Sequence, residues 1–130
     1  MLVVDASVLV VALVDDDEDG DRVRERLAGA AIAAPDLVDL EVTSVLRRLV
    51  AAGAVPERRA RLALDDLVEL PLRRAPHRPL IGRCWELRDN VSPYDAAYIA
   101  LAEALEATLV TADSRLAAAP GPRCEIELLI

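Results

Sequence analysis

Lysine and phenylalanine are absent from this chain, aromatic residues make up only 2% of it, and histidine occurs once. Each absence removes chemistry. Without lysine there is no Gly-Lys-Ser/Thr phosphate loop. A receiver domain and a haloacid-dehalogenase-type phosphatase also use a lysine, and the phosphatase wants Asp-x-Asp where this chain has Asp5-Ala6-Ser7. The one histidine, His77, stands in Pro76-His77-Arg78-Pro79, a turn-like setting that reads as an exposed loop. A lone histidine rules out a paired-histidine nuclease and argues against a Ser-His-Asp triad. Cys84 and Cys124 lie far apart and fit neither a CxxC pattern nor a disulfide framework. They read as buried free thiols of a reducing cytosol.

A long apolar run is missing as well, so nothing in the chain is fit to span a bilayer. The first fourteen residues are apolar enough to look like the core of a signal peptide. No basic segment precedes them, however; Asp5 interrupts them, and Asp15 to Glu18 follow where a cleavage site should stand. The expectation is a soluble cytoplasmic protein with no membrane association.

What is present is 54% apolar residues, supplied by Ala, Val, Leu and Ile rather than by aromatics. That suffices for one core, so residues 1–130 are expected to form a single domain. The net charge of -8 has the wrong sign for holding nucleic acid by bulk attraction. All fifteen basic residues are Arg, and they cluster: Arg22, Arg24 and Arg26; Arg47 and Arg48; Arg58, Arg59 and Arg61; Arg73, Arg74 and Arg78. Each cluster reads first as a solvated helix face. Together they leave room for a phosphate-binding rim around an acidic centre.

Leu2-Val3-Val4 is a short apolar run that ends on Asp5, and Leu109-Val110-Thr111-Ala112-Asp113 echoes it late in the chain. Runs without period-2 alternation suit strands covered on both faces, as in a parallel sheet. Ser7 to Val14 reads as a short helix; the acidic run Asp15 to Asp21 breaks it and opens a second, Arg22 to Ala28, closed by Gly29. Ala30 to Ala34 reads as a strand. From Leu37 to Ala52 the apolar residues recur at helical spacing, with Glu41 between Leu37 and Val45 on the inward stripe. A carboxylate there must be paired, protonated or metal-bound, unless it stands at the stripe's edge and reaches out to water. Gly53 and Pro56 turn the chain into a further helix, Glu57 to Val68, completing a hairpin of two helices. Glu69 to Leu72 reads as a strand, and Arg78 or Pro79 to Arg88 as a helix. Ser92 as N-cap, Pro93 at the first helical position and Asp95 two residues on mark a strong helix start. Thr108 to Thr111, a short helix from Ser114 and a strand near Cys124 to Leu128 finish the chain. Alternating strands and helices predict a three-layer α/β/α fold around a mostly parallel sheet of about five strands.

In such folds the ligand site lies beyond the carboxyl ends of the strands. Asp5 and Asp113 would both end there, and Asp95 shares a helix face with Tyr98, Ile99 and Ala102 that must pack on the sheet. Singly, each acid has a plain explanation, since Asp5, Asp95 and Asp113 could all be helix caps. Jointly, Asp5, Glu41, Asp95 and Asp113 would repel in a partly dry site and raise one another's pKa. Hard oxygen ligands without His or Cys suit Mg²⁺ or Mn²⁺, ions able to activate water and steady the leaving oxygen of a phosphodiester. Ser7 and Thr111 add hydroxyls at the same strand ends, able to orient an acid or a metal-held water.

The opening Val3-Val4-Asp5-Ala6-Ser7-Val8-Leu9-Val10, the Glu41-to-Arg48 helix, the Ser92-Pro93-Tyr94-Asp95-Ala96-Ala97-Tyr98-Ile99-Ala100-Leu101-Ala102 helix and the closing Leu109-to-Asp113 run resemble a PIN domain, specifically a VapC-type toxin ribonuclease. The resemblance covers the whole chain in order and length. It implies a Mg²⁺- or Mn²⁺-dependent endoribonuclease that cuts RNA, often transfer RNA. It also implies silencing by a cognate VapB-type antitoxin of a type II toxin-antitoxin pair, and a homodimer. Carried over by residue, Asp5 and Asp95 are principal metal ligands, Asp113 completes the site, and Glu41 binds metal or positions the attacking water. The antitoxin would wrap the Leu37 to Val68 hairpin with apolar side chains and send a basic residue toward the acids. The net acidity departs from what an RNA path needs and leaves that path open. Two rival readings stand beside this one: a PIN nuclease of ordinary RNA processing, and a catalytically silent α/β module whose acids only cap helices.

Overall fold

The computed structural model describes residues 1–130. The chain runs β1 (Leu2–Val4), α1 (Ala6–Val14), α2 (Glu18–Leu27), β2 (Ile32–Pro35), α3 (Val38–Ala51), α4 (Glu57–Glu69) and β3 (Leu72–Ala75). A 3-10 turn at Arg78–Leu80 then leads into α5 (Ile81–Glu86), followed by α6 (Pro93–Leu105), β4 (Thr108–Thr111), α7 (Ser114–Ala117) and β5 (Ile126–Leu128). The five strands form one sheet in the order β3-β2-β1-β4-β5, and every pairing is parallel. The expected three-layer α/β/α architecture is therefore present, with an all-parallel sheet.

Burial explains which strands are central. Val3, Val4, Leu109 and Val110 are wholly buried, whereas β3 at the edge exposes Arg73. Helix α1 packs against α2, α3 and α4, and α6 packs against β1, β2 and β4. Every residue of α6 from Ala96 to Ala102 is buried. Its small side chains let the helix lie close on the sheet, which is how a core almost without aromatics closes up. No helix is long and apolar enough to cross a membrane. Cys84 is buried, Cys124 only half-buried, and both are free thiols.

Several boundaries differ from the sequence reading, two of them for a clear local reason. Helix α2 begins at Glu18 instead of Arg22, because Glu18, Asp19 and Asp21 favour the positive end of a helix and the Asp15 carboxylate accepts from the Asp17 N–H at 2.8 Å. The third strand is Leu72–Ala75 rather than Glu69 to Leu72, since α4 continues through Glu69 and Leu72 is the first residue to bury its side chain in the sheet. The second strand lies slightly later than expected, at Ile32–Pro35, and α5 ends at Glu86 rather than Arg88.

Three arginines tie the layers together. Arg26 forks onto Glu127 at 2.8 and 3.0 Å and joins α2 to β5. Arg74 forks onto Asp39 at 2.7 and 3.0 Å and also donates to the Leu67 carbonyl, joining β3 to α3 and α4. Arg83 forks onto Glu103 at 2.7 and 3.1 Å, joining α5 to α6. Planar two-point pairing is what arginine offers and lysine does not.

The corner between α1 and α2 depends on Gly20. The Arg24 guanidinium donates to the Ala12 and Asp15 carbonyls at 3.0 and 2.8 Å, closing the end of α1. Gly20 is buried against the same carbonyl, and a Cβ there would overlap the Asp15 oxygen and lie 2.7 Å from its carbon. Backbone cannot yield as a side-chain tip can. Gly20→Ala should therefore lower the stability of the fold by about 1–3 kcal/mol, read as a lower urea midpoint at unchanged slope. An unchanged midpoint would mean that α2 slides freely on α1.

Candidate active site

The sheet changes direction between β1 and β4. From β1 the chain builds outward through β2 to β3 on one side; β4 then returns to the other side of β1 and β5 follows it outward. At such a switch point the loops leaving the two strands diverge and open a crevice at their carboxyl ends. Leu2 pairs with Thr108, Val3 with Leu109 and Val4 with Val110, so Asp5 comes level with Thr111.

Asp5 is 7% exposed, and its carboxylate is held by donors around this junction. Its Oδ1 accepts from the Ser7 hydroxyl at 2.5 Å and from the Val8 N–H at 3.2 Å, and its Oδ2 accepts from the Thr111 hydroxyl at 2.5 Å. Each hydroxyl has one proton, and each spends it on Asp5. Their lone pairs accept in turn: Ser7 Oγ from the Ala112 N–H and Thr111 Oγ1 from the Asp113 N–H, both at 3.0 Å. Asp5 thus does cap α1, but it is also the hub of a network that positions the turn bearing Asp113. No buried side-chain oxygen or nitrogen is left without a partner.

Asp113 is half-buried and caps α7, its Oδ1 accepting from the Arg115 N–H at 2.9 Å. Asp95 is half-buried in the first turn of α6, where its N–H donates to Ser92 Oγ at 3.2 Å. The reciprocal bond of a capping box, from the Ser92 N–H to the Asp95 carboxylate, is not made. The Asp95 carboxylate lies close enough to Asp113 and Asp5 to feel their charges.

Glu41 stands in the first turn of α3 and is half-buried, not extended into water. Its Oε1 accepts from the Tyr98 hydroxyl at 2.5 Å. Tyr98 is 1% exposed and lies three residues beyond Asp95 on α6, so one helix carries one acid and orients another. The start of α3 has no side-chain cap of its own; the His77 ring supplies one, its Nε2 accepting from the Leu37 N–H at 2.9 Å. His77 is exposed, as expected, yet it secures the helix turn that presents Glu41.

Tyr98, His77 and Arg115 are not among the residues that the sequence singles out as functional. For Tyr98 a signal exists, since a tyrosine on an inward stripe one turn from an acid must find a partner for its hydroxyl. For His77 there is none, because its partner lies 40 residues away in sequence.

Three of the acids are pushed above the ordinary carboxylate range. For Asp5 the first cause is burial, opposed by its three donors and reinforced by the charge of Asp113. For Glu41 it is burial, with the Tyr98 bond opposing and the charges of Asp95 and Asp5 adding. For Asp95 it is burial, then the charges of Asp113 and Asp5, with Ser92 and Arg115 opposing. Mutual repulsion is thus present as expected, but desolvation comes first. No three carboxylate, imidazole or thiol groups are gathered closely enough to enclose one ion. The four acids share an electrostatic field more than a common point.

A raised carboxylate pKa has a definite sign in stability. The fold binds more protons than the unfolded chain above the ordinary value of about 4, so the contribution is fully present below that value and is lost as pH rises through the folded pKa. In EDTA, wild type should therefore lose stability from this source as pH rises through the window above about 4, and Asp95→Asn should lose less. At neutral pH the variant should melt at or above the wild-type temperature. Adding Mg²⁺ or Mn²⁺ should raise the wild-type melting temperature more than that of the variant. A variant that melts clearly lower in EDTA and responds equally to metal would make Asp95 a simple helix cap.

Residues 2–122 match the PIN domain family. Ribonuclease VapC1 of Mycobacterium tuberculosis is 48% identical over 128 residues, covering 98% of this chain and 96% of that protein. Ribonuclease VapC9 of the same organism is 41% identical over 129 residues, covering 99% and 98%. Among solved structures, VapBC2 from Rickettsia felis bound to a DNA fragment from its promoter superposes with a TM-score of 0.68 at 18% identity, covering 97% of this chain and 96% of that one, which bears on the fold alone. The chain belongs to the PIN domain family and, within it, to the VapC-type ribonucleases.

Proposed function

We propose that this protein is an endoribonuclease acting as the toxin of a VapBC-type pair. In this reading residues 1–130 form one cytoplasmic PIN domain that works as a homodimer, hydrolyses RNA with Mg²⁺ or Mn²⁺, and is silenced by a VapB-type antitoxin. Asp5, Glu41, Asp95 and Asp113 would hold the metal, supported by Ser7 and Thr111; no three of them already enclose a single point, so binding would draw their side chains together. The observation that carries it is the electrostatic coupling of these four acids from four different elements across one crevice at the sheet's switch point.

The donor set suits the metal. It offers four hard carboxylates and two hydroxyls, with neither thiol nor imidazole, which is the chemistry of Mg²⁺ and Mn²⁺ rather than of zinc. When bound, such an ion supplies Lewis-acid polarisation of the phosphoryl oxygens and makes water a better nucleophile at neutral pH. The chain's own residues do the rest. Ser7 and Thr111 give their protons to Asp5 and so hold it in orientation with a lone pair left over. Tyr98 occupies one oxygen of Glu41 and leaves Oε2 to bind the metal or to accept from the attacking water. The partner reading draws on exposed apolar side chains of the α3–α4 hairpin: Leu40 is 76% exposed, Leu62 51% and Val68 74%. The net charge of -8 also favours a basic partner.

Two measurements test the proposal. Asp5→Asn and Asp95→Asn should each lower Mn²⁺-dependent cleavage of total RNA by roughly 100-fold or more while the protein stays folded, because each removes a metal charge at constant volume. Activity within a few-fold of wild type in both would remove the metal-site reading. Co-expression with the product of an adjacent upstream reading frame should relieve toxicity and change the oligomeric state in size-exclusion chromatography. No change in either would favour a nuclease of ordinary RNA processing.

A further inference from the structure

The net charge leaves RNA no general attraction to this surface, so whatever holds a phosphate near the acids must be local. Of the clustered arginines, Arg24, Arg26, Arg59, Arg61 and Arg74 are engaged in ion pairs. Arg22, Arg47, Arg48, Arg58, Arg73 and Arg78 are exposed and make no ion pair, but Arg47 and Arg48 lie well past Glu41 along α3, Arg58 lies beyond the hairpin turn, and neither Arg22 on α2 nor Arg73 and Arg78 beside the edge strand β3 contributes to the charge felt by the perturbed acids. With about 1.5 Å per helical residue, the turn is roughly 15 Å from Glu41.

Arg115 is different. Its backbone N–H is held by Asp113 Oδ1 at 2.9 Å, which fixes its Cα at the edge of the crevice. Its side chain is 89% exposed and touches Asp113 Oδ2 only at 3.6 Å. An exposed contact of that length contributes little and is easily exchanged. Its charge also reaches Asp95, where it opposes the rise in pKa, and no other cation acts on the three perturbed acids. A guanidinium on a long stem with an anchored base is suited to a phosphate oxygen pair.

We propose that Arg115 is the substrate-binding cation of this site: it leaves its loose contact with Asp113 and pairs with a backbone phosphate of the RNA at the rim of the crevice. The inference rests on the ribonuclease reading and adds a binding residue to it. The exchange suits the chemistry of the acids, since in the free protein Arg115 offsets part of their repulsion, and with metal present that role passes to the ion. Arg115 then carries substrate rather than charge compensation.

Steady-state cleavage of a single-stranded RNA oligonucleotide with Mn²⁺ tests this, alongside anisotropy binding of the same labelled RNA to Asp95→Asn with and without Arg115→Ala. Arg115→Ala should raise KM about tenfold with kcat within about threefold, and weaken RNA binding comparably in the Asp95→Asn background. The slope of log affinity against log salt should flatten by about 0.7, the value for one phosphate of a single strand. Arg115→Lys should restore the slope and most of KM, and Arg58→Ala should alter neither. A slope and KM in Arg115→Ala equal to wild type, or an equal change in Arg58→Ala, would overturn the assignment while leaving the nuclease intact. If wild type itself neither cleaves nor binds RNA, the ribonuclease reading falls and this one with it.

Discussion

A carboxylate buried at the seam between β1 and β4 sets the terms for its surroundings. An ionised group with 7% exposure is tolerable only if donors replace water, and Asp5 receives them from Ser7, Val8 and Thr111. The two hydroxyls cannot be exchanged for apolar groups of similar shape without leaving Asp5 short of donors. Nor can they rotate away, because the Ala112 and Asp113 N–H groups hold their lone pairs. The same atoms that make Asp5 bearable therefore determine where the turn after β4 goes, and with it Asp113.

A second constraint comes from the near absence of aromatics. The core is filled by Ala, Val, Leu and Ile, and α6 can be buried along seven consecutive residues because most of them are small. Tyr98 is the one aromatic side chain in that core. Its hydroxyl needs an acceptor, and burial together with the Glu41 carboxylate pushes its pKa far upward, so it remains a donor at any working pH. Packing and chemistry meet in that one bond: the residue that fills the space between α6 and α3 also holds Glu41 toward Asp95.

The charge pattern follows from the same economy. Forked arginine pairs fasten β5 to α2, β3 to α3 and α5 to α6, away from the crevice. Of the cations, only the loosely held Arg115 guanidinium acts on the perturbed acids. That surplus of negative charge is what the proposed metal and phosphate contacts would answer.

Much of this is readable along the chain, because the signals are local. Unbroken apolar runs mark strands covered on both faces, Ser92-Pro93 marks the start of α6, and an acid at the end of the first strand of an α/β fold marks a crevice. The absence of lysine and of a second histidine narrows the chemistry through composition alone. Helix and strand limits are less legible where two signals compete, as in the acidic run that both ends α1 and opens α2. What the tertiary structure alone decided were contacts between residues distant in sequence, such as Thr111 to Asp5, Tyr98 to Glu41 and His77 to the start of α3, together with the close approach of Gly20 to the Asp15 carbonyl. A sequence tells which side chains need partners, but which partner each one meets depends on the register and packing of the sheet. Desolvation depends on them too, and it outweighs repulsion in raising these carboxylates because burial belongs to the folded chain and not to any residue in it.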